Sequence, residues 1–254
     1  MKRTRIIAIV NQKGGSGKTT TAVNLASSLV DLNKKVLLID MDPQGSASLW
    51  VGIKEGGKKL FDMMTSSSSL SSAITSTKQK GLDIIEASPI LSGIEKALAN
   101  EVGSETILKN KLKGFEENPY EYILIDCPPT LGILSLNALT VAKEVIVPVE
   151  AHVMALHGLV QLMKTINLVK ERLNPGLVIS GILPCRVDFR TKHSKEVLSQ
   201  LKKRFEKQIY KSVIRENVKL AEAPLHLKPI SKYDKDCHGA KDYKMLAEEL
   251  CRRS

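Results

Sequence analysis

Residues 13–20 read Lys13-Gly14-Gly15-Ser16-Gly17-Lys18-Thr19-Thr20. They follow an apolar, strand-like run over residues 6–10 and precede a helical pattern that begins near residue 18. A strand, a glycine-rich turn, a Lys-Thr pair and a helix, in this order, form the context of a phosphate-binding loop. Glycines let the backbone curl so that several N–H groups point inward, and the helix N-terminus adds partial positive charge. The stretch therefore predicts a nucleotide site.

Each position of this loop has a predicted part. Lys18 is placed to reach the β- and γ-phosphates, and the Thr19 hydroxyl to coordinate Mg²⁺. The backbone from Gly14 to Thr20, including Ser16, is expected to surround the phosphates. The general pattern does not require a lysine at position 13, so Lys13 is either a solvated loop cation or a residue with a further role.

Composition favours an α/β protein. The chain has 254 residues, of which 43% are hydrophobic and only 4% aromatic, as is typical of a parallel sheet built from Val, Ile and Leu. A core of this size fits one domain, and we expect a single domain over residues 1–254.

Several classes of protein are disfavoured. No apolar run approaches the roughly 18 residues that span a bilayer, and the first residues lack the apolar segment of a signal peptide. The cysteines at positions 127, 185, 237 and 251 are scattered without a C-x-x-C pair. They indicate reduced cytosolic thiols, not disulfides, a zinc site or a cluster-carrying protein.

The charge is strongly positive, with a formal value of +11. The last quarter, from Arg190 to Ser254, holds 17 Lys or Arg and 9 Asp or Glu. Such an excess favours a polyanionic partner, either nucleic acid or an anionic membrane, although a basic surface without a partner is equally compatible.

Strand and helix patterns alternate along the chain. Strands are predicted at 6–10, 36–40, 82–85, 122–126, 145–149 and 177–183, and helices at about 18–32, 92–112, 133–142, 155–173, 194–207 and 240–252. This alternation predicts a mostly parallel, doubly wound sheet with helices on both faces and the ligand at the carboxyl ends of the strands. The serine-rich residues 65–77 are expected to form a surface excursion with a weak helical face.

Two predicted strands end in an aspartate, Asp40 and Asp126. At a strand tip beside bound phosphates, such a carboxylate can hold Mg²⁺ or its waters, or orient an attacking water. A turn-forming aspartate is the alternative for either residue.

Together these motifs resemble the family of ParA and MinD ATPases, whose "deviant" Walker A sequence is K-G-G-x-G-K-T-T. Residues 40–45, D-M-D-P-Q-G, resemble the family's switch motif, and residues 126–129, D-C-P-P, its Walker B motif. Residues 131–139, 147–158 and 216–224 extend the likeness toward the Soj-type partition proteins. Departures include Ser16 in the loop, His152-Val153, and Glu216 where the family often has arginine.

The resemblance implies a set of roles. Lys13 would cross a dimer interface to the partner's nucleotide, and Asp40 would position the attacking water. Asp42 would line the phosphates, Asp126 would bind Mg²⁺ through water, and Pro224 would belong to the nucleotide site. The implied cofactors are ATP or ADP and Mg²⁺, and the implied assembly is an ATP-bound homodimer.

The same resemblance implies non-specific binding of double-stranded DNA. Arg190 and Lys219 are the matching basic residues, and the helix that contains Lys202 and Lys203 adds more charge. A ParB-like protein would stimulate hydrolysis, and the location would be cytoplasmic and nucleoid-associated. The alternative is a MinD-like ATPase that cycles on membranes. That alternative needs an amphipathic C-terminal helix, which the acidic, fold-continuous last segment does not resemble.

Overall fold

The computed structural model describes residues 4–54, 56–113, 115, 118–152 and 155–253. They contain one seven-stranded sheet in the order β3-β4-β2-β5-β1-β6-β7. The strands are β1 Arg5–Ile9, β2 Val36–Asp40, β3 Ile74–Ser76, β4 Leu82–Ile85, β5 Tyr122–Asp126, β6 Glu144–Glu150 and β7 Val178–Cys185. All neighbouring strands are parallel except β3, which pairs antiparallel with β4. The predicted fold class is confirmed.

Twelve α-helices lie in the described residues. They are α1 Lys18–Asp31, α2 Ser46–Trp50, α3 Lys59–Thr65, α4 Leu70–Ala73, α5 Ile94–Ala97, α6 Ile107–Lys113, α7 Ile133–Val141, α8 Ala155–Arg172, α9 Lys192–Phe205, α10 Val218–Glu222, α11 Ile230–Tyr233 and α12 His238–Arg252. Short 3-10 helices occupy Pro89–Gly93, Ser104–Thr106, Glu206–Gln208 and Ala223–His226.

The sheet is covered on both faces, as the alternation of its side chains shows. Ile7 and Ile9 of β1 belong to one buried cluster, with α1 and α12. Ala8 of the same strand belongs to the other cluster, with α7, α8 and α9. Because successive strand residues point to opposite faces, the strands other than the edge strand β3 contribute to both cores. These two cores enclose β1, an interior strand between β5 and β6, with the loop after it at the carboxyl edge.

Two segments differ from the prediction. The single helix expected over 92–112 is wrong: Gly103, with φ 75°, interrupts it in the left-handed conformation that favours glycine. The interruption is fixed by Asn137, whose amide donates to the Ser104 carbonyl at 2.8 Å and accepts from the Leu108 N–H at 2.9 Å.

The serine-rich excursion also contains more structure than expected. Leu70 and Ala73 are buried, in agreement with a weak helical face. The next residues, Ile74–Ser76, add the antiparallel edge strand β3 beside β4. Two β-branched residues, Ile74 and Thr75, favour this extended backbone.

Candidate active site

The glycine-rich loop connects β1 to α1 at the carboxyl edge of the sheet. Gly15 and Gly17 have φ of 71° and 92°, which only glycine adopts without strain. A β-carbon placed on Gly14 or Gly15 would meet no atom within 4 Å, so the loop backbone borders open space. Within the described chain, the N–H groups of residues 14–19 donate to no backbone carbonyl or side chain. The loop therefore offers unpaired donors at a helix N-terminus, as an anion site requires.

Lys18 lies almost buried inside this loop, with 7% of its surface exposed. Its ammonium donates to the Lys13 carbonyl at 3.4 Å. Burial lowers the pKa of Lys18, while the charges of Asp126 and Asp42 act in the opposite direction. A partly desolvated ammonium beside free loop N–H groups is suited to an incoming phosphate.

Asp126 ends β5, fully buried, and neither of its carboxylate oxygens has a hydrogen-bond partner among the described residues. Burial and the charge of Asp40 raise the pKa of Asp126 well above its usual range, and the Thr19 hydroxyl and the Lys18 ammonium act in the opposite direction. The Thr19 hydroxyl lies close enough to favour the charged carboxylate, but it makes no hydrogen bond of ordinary geometry to either oxygen. A buried carboxylate without a partner is costly unless a cation compensates it. This orphaned group, beside the Thr19 hydroxyl, fits Mg²⁺, which prefers oxygen ligands.

Asp40 ends the neighbouring strand β2 and is engaged differently. One oxygen accepts the Ser48 N–H at 2.8 Å and the Ser48 hydroxyl at 2.7 Å, and the other accepts the Asp42 N–H at 3.2 Å. Burial raises the pKa of Asp40 to about 6, although these hydrogen bonds oppose the shift. In this conformation Asp40 holds the turn from Asp42 to Ser48, so its predicted part in positioning water stays a prediction.

Lys13 does not line the open space above the loop. Its ammonium pairs with Glu150 Oε2 at 2.8 Å, at the end of β6. The other oxygen of Glu150 accepts Arg186 Nη1 at 3.1 Å, and the second guanidinium nitrogen of Arg186 lies 3.7 Å from Glu216. Asn11 strengthens the link between loop and strand by donating to the Pro148 carbonyl at 2.6 Å.

A cavity of about 1040 Å³ extends from the loop toward the C-terminal segments. Near the loop it is lined by Gly14, Gly15, Gly17, Lys18, Thr19, Thr20 and Asp42. The C-terminal segments contribute a mixed lining. Its apolar and aromatic side chains include Ile214, Val218, Leu220 and Tyr243, and its charged ones include Arg186, Asp188, Arg190, Arg215 and Glu216. A loop with a buried lysine beside apolar and aromatic side chains suits a ligand that carries both phosphates and a flat ring.

The predicted DNA-binding residues fall into two places. The Arg190 loop and the segment before Lys219 are adjacent, because Val187 bridges Arg215 and accepts the Glu216 N–H at 3.2 Å. Lys202 and Lys203 are exposed in the last turns of α9. That position is about 16 Å along the helix from its first residues. The structure thus brings together the segments of Arg190 and Lys219, with the α9 lysines further along.

Both of these basic residues have acidic neighbours. The Arg190 side chain is 90% exposed and pairs with Asp188 at 2.8 Å, which lowers the pKa of Asp188 to about 2. Lys219 pairs with Glu222 at 2.9 Å and lies over the Tyr233 ring. A phosphate group would have to compete with these carboxylates.

Two predicted residues lie away from the cavity lining, and two residues near the site were not predicted. Pro224 lies in the 3-10 helix Ala223–His226 and does not line the cavity, and Ser16 is buried below the loop. Two further residues lie outside every sequence motif. Ser48 holds Asp40, and the sulfur of Cys185 lies 3.6 Å from the position that a β-carbon on Gly17 would occupy. They could not have been found from their spacing in the chain.

The last helix, α12, packs its apolar side into the core. Tyr243, Leu246, Ala247 and Leu250 are fully buried, and the Tyr243 hydroxyl lies 3.3 Å from the Thr21 hydroxyl of α1. Across the ranges that the structure describes, no helix combines the length and apolar character needed to cross a membrane.

Comparisons with known proteins agree with this architecture. The AAA-domain family AAA_31 matches residues 4–179. The chain is 44% identical over 248 residues to the sporulation initiation inhibitor protein Soj of Bacillus subtilis, covering 97% of this chain and 98% of Soj. It is 41% identical over 252 residues to the chromosome partitioning protein ParA of Caulobacter vibrioides, covering 98% and 94%.

Two solved structures show the same fold. A cobyrinic acid a,c-diamide synthase from Mycobacterium smegmatis, with bound ATP analogue and magnesium, is 32% identical, with a TM-score of 0.86 and coverage of 98% and 95%. The septum site-determining protein MinD from Pyrococcus horikoshii, complexed with Mg-ADP, is 27% identical, with a TM-score of 0.79 and coverage of 98% and 96%. With its nearly full-length likeness to Soj and ParA, the chain belongs to the Soj/ParA family of chromosome-partitioning ATPases.

Proposed function

We propose that this protein is a DNA partition ATPase that binds ATP with Mg²⁺ as a nucleotide-sandwich dimer. The observation that carries this proposal is the loop of unpaired N–H groups beside buried Lys18 and the orphaned Asp126 carboxylate. The loop would hold the phosphates, Lys18 would neutralise the β- and γ-phosphates, and Thr19 with Asp126 would hold Mg²⁺ directly or through water. The metal would supply charge neutralisation at the transferring phosphate.

Hydrolysis in this site would depend mainly on position and charge. A slow, partner-stimulated ATPase needs no strong base, because preorganised donors and cations stabilise the charge that develops in the transition state. Asp40 would orient the attacking water once the turn that it now holds has moved with the nucleotide. Lys13 would supply a further cation to the partner subunit's nucleotide, and Asp42 would face the phosphates.

The DNA-binding part of the proposal rests on the basic C-terminal quarter. Arg190 and Lys219 lie on adjacent segments, and Arg190 and both chain neighbours of Lys219 line the cavity. Closure of a dimer would place two such surfaces together. Contacts to phosphates position a protein without reading bases. DNA binding would thus be non-specific and gated by ATP, with release on hydrolysis. A ParB-like protein would stimulate that hydrolysis, and the protein would be cytoplasmic and nucleoid-associated.

A shift assay on unrelated DNA duplexes, with no nucleotide, ADP or ATP, tests this proposal. We expect binding only with ATP, in parallel with a doubling of mass in solution. Equal DNA binding with ADP and with ATP would contradict the proposal that ATP gates DNA binding. No DNA binding in any state, together with ATP-dependent recruitment to anionic vesicles, would favour a MinD-like role, which the burial of α12 argues against.

A further inference from the structure

Lys13 is held inside its own subunit by Glu150. The ammonium and carboxylate are 2.8 Å apart, and the Lys13 side chain is 46% exposed while Glu150 is 21% exposed. The Lys13 ammonium is the main cause that holds the pKa of Glu150 below its usual range. The ion pair joins the start of the glycine-rich loop to the end of β6, and Lys13 is not among the residues that line the cavity.

Arg186 is the second cation on the same carboxylate. It lies at φ 52°, in the left-handed region that an arginine rarely adopts, directly after β7. Such backbone strain persists only where the surrounding structure fixes it, and it often marks a functional position. The strained backbone directs the guanidinium to Glu150 Oε1 at 3.1 Å. If Lys13 leaves, Glu150 therefore keeps a cation beside it.

We propose that Glu150 is a positioning residue that retains Lys13 in the monomer, and that Arg186 permits its release by neutralising the carboxylate afterwards. This inference rests on the proposed sandwich dimer, in which Lys13 acts on the second subunit. The carboxylate would oppose association, since each subunit must break one ion pair before its lysine is free. Arg186 would favour association, because it competes with Lys13 for Glu150 and prevents an uncompensated charge.

The size of the effect follows from partly exposed ion pairs, which contribute up to about a fivefold change in an equilibrium constant. Two such pairs break per dimer. Glu150→Gln, which keeps the shape and removes the charge, should therefore lower the ATP-dependent dimer dissociation constant by about tenfold. Arg186→Met should raise the dimer dissociation constant. A general loss of folding would raise the dimer dissociation constant of both variants, so it could not produce changes in opposite directions.

The experiment measures the mass of each variant by sedimentation over a range of protein concentrations with Mg-ATP. Glu171→Gln on the exposed side of α8 is the matched control, since it removes one carboxylate away from the loop. It should behave like the parent. The double variant Lys13→Ala, Glu150→Gln should fail to dimerise. A Glu150→Gln variant that dimerises as the parent does, or less tightly, overturns the inference. A double variant that dimerises more tightly than the parent overturns it as well.

A second measurement does not depend on the dimer. Amine acylation of the nucleotide-free monomer, followed by mass spectrometry, reports how free the Lys13 ammonium is. We expect severalfold faster labelling of Lys13 in Glu150→Gln than in the parent, with Lys164 on α8 unchanged. Equal labelling overturns retention of Lys13. If the parent does not dimerise with ATP, the proposed dimer fails, while faster labelling of Lys13 would still support its retention by Glu150.

Discussion

Asp40 and Asp126 are register partners on adjacent parallel strands, yet only one of them has hydrogen bonds. Asp40 accepts three, from Ser48 and Asp42, whereas both oxygens of Asp126 are buried and unpartnered among the described residues. Burial raises both pKa values, to about 6 for Asp40, where the charge of Asp42 adds to the shift, and well above the usual range for Asp126, where the charge of Asp40 adds to it. The two carboxylates thus carry an electrostatic cost at the place where a divalent cation would remove it.

Neutralising Asp126 should make the fold more stable while it weakens magnesium-dependent binding of the nucleotide. Folded-state pKa values above those of the unfolded chain mean that the folded protein binds these protons more tightly. The contribution of the pair to stability therefore falls as pH rises from about 4 through about 6. Asp126→Asn should raise the free energy of unfolding by roughly 1–3 kcal/mol at pH 8, and by less at pH 5.

The same variant should lose magnesium-dependent nucleotide affinity. Urea unfolding at the two pH values and calorimetry with and without Mg²⁺ check both effects. Asp62→Asn, on the exposed side of α3, is the control. A variant that is less stable than the parent at pH 8 contradicts the electrostatic cost assigned to Asp126.

Lys18→Ala should reduce ATP affinity at least tenfold. Charge-assisted contacts contribute about 1.5–3 kcal/mol each, and Lys18 is the buried cation of the loop. Calorimetry measures the change, with Lys164→Ala on α8 as the control and circular dichroism to confirm folding. Equal affinity in parent and Lys18→Ala would refute the assignment of the phosphate site.

Lys13→Ala and Asp40→Ala should affect different steps. Without Lys13, ATP should no longer induce a dimer, while the monomer should lose much less ATP affinity than Lys18→Ala does. Without Asp40, the dimer should form and persist, because the attacking water is not positioned. Light scattering with ATP, together with phosphate release, distinguishes them. Two variants that both dimerise and hydrolyse like the parent would leave Lys13 a loop cation.

Replacing Arg190 and Lys219 with glutamate should eliminate DNA binding and leave ATP-dependent dimerisation intact. Each neutralised phosphate releases counterion, so the logarithm of the affinity of the parent should fall with the logarithm of salt with a slope of about −0.9 per contact. Single replacement of Lys202 or Lys203 should change the slope without abolishing binding. A double variant that binds DNA normally would place the interface elsewhere.

Glu249→Gln should destabilise the fold by about 1–3 kcal/mol at pH 7. The carboxylate accepts the Lys211 and Ser212 N–H groups at 2.9 and 2.8 Å and pairs with Arg253. Burial alone would raise the pKa of Glu249, but these donors lower it below the ordinary value. Its contribution is therefore present above pH 4.5 and lost as pH falls through the folded-state pKa. Urea unfolding at pH 7 and pH 4 measures this, with Glu248→Gln as the neighbouring control.

The sequence predicted what depends on local pattern. The glycine loop, the strand-ending aspartates and the alternation of strands and helices all appear in the fold, because apolar periodicity and turn residues act within a few positions. The helix over 92–112 was wrong because Gly103 and the distant Asn137 override the helical pattern there. A single domain over residues 1–254 and the roles of the site residues stay predictions.

Long-range pairs could not be predicted in this way. Lys13 and Glu150 lie 137 residues apart, and no spacing rule connects a loop lysine with the end of β6. The engagement of Asp40 with Ser48, and the position of Pro224 outside the cavity, depend on the packing of whole elements. Such contacts are set by the tertiary structure and leave no periodic signal in the chain.

The contact between Thr21 and Tyr243 has a consequence for synthesis. Helix α1 starts at the glycine loop, and its buried face is completed by α12, more than 200 residues later. A ribosome that has made the loop and the first strands has not yet made their covering helix. Contacts of such sequence separation form late, and the exposed apolar face is open to aggregation meanwhile. The nascent chain cannot bury this face of α1 against α12 until residues 238–252 have left the exit tunnel.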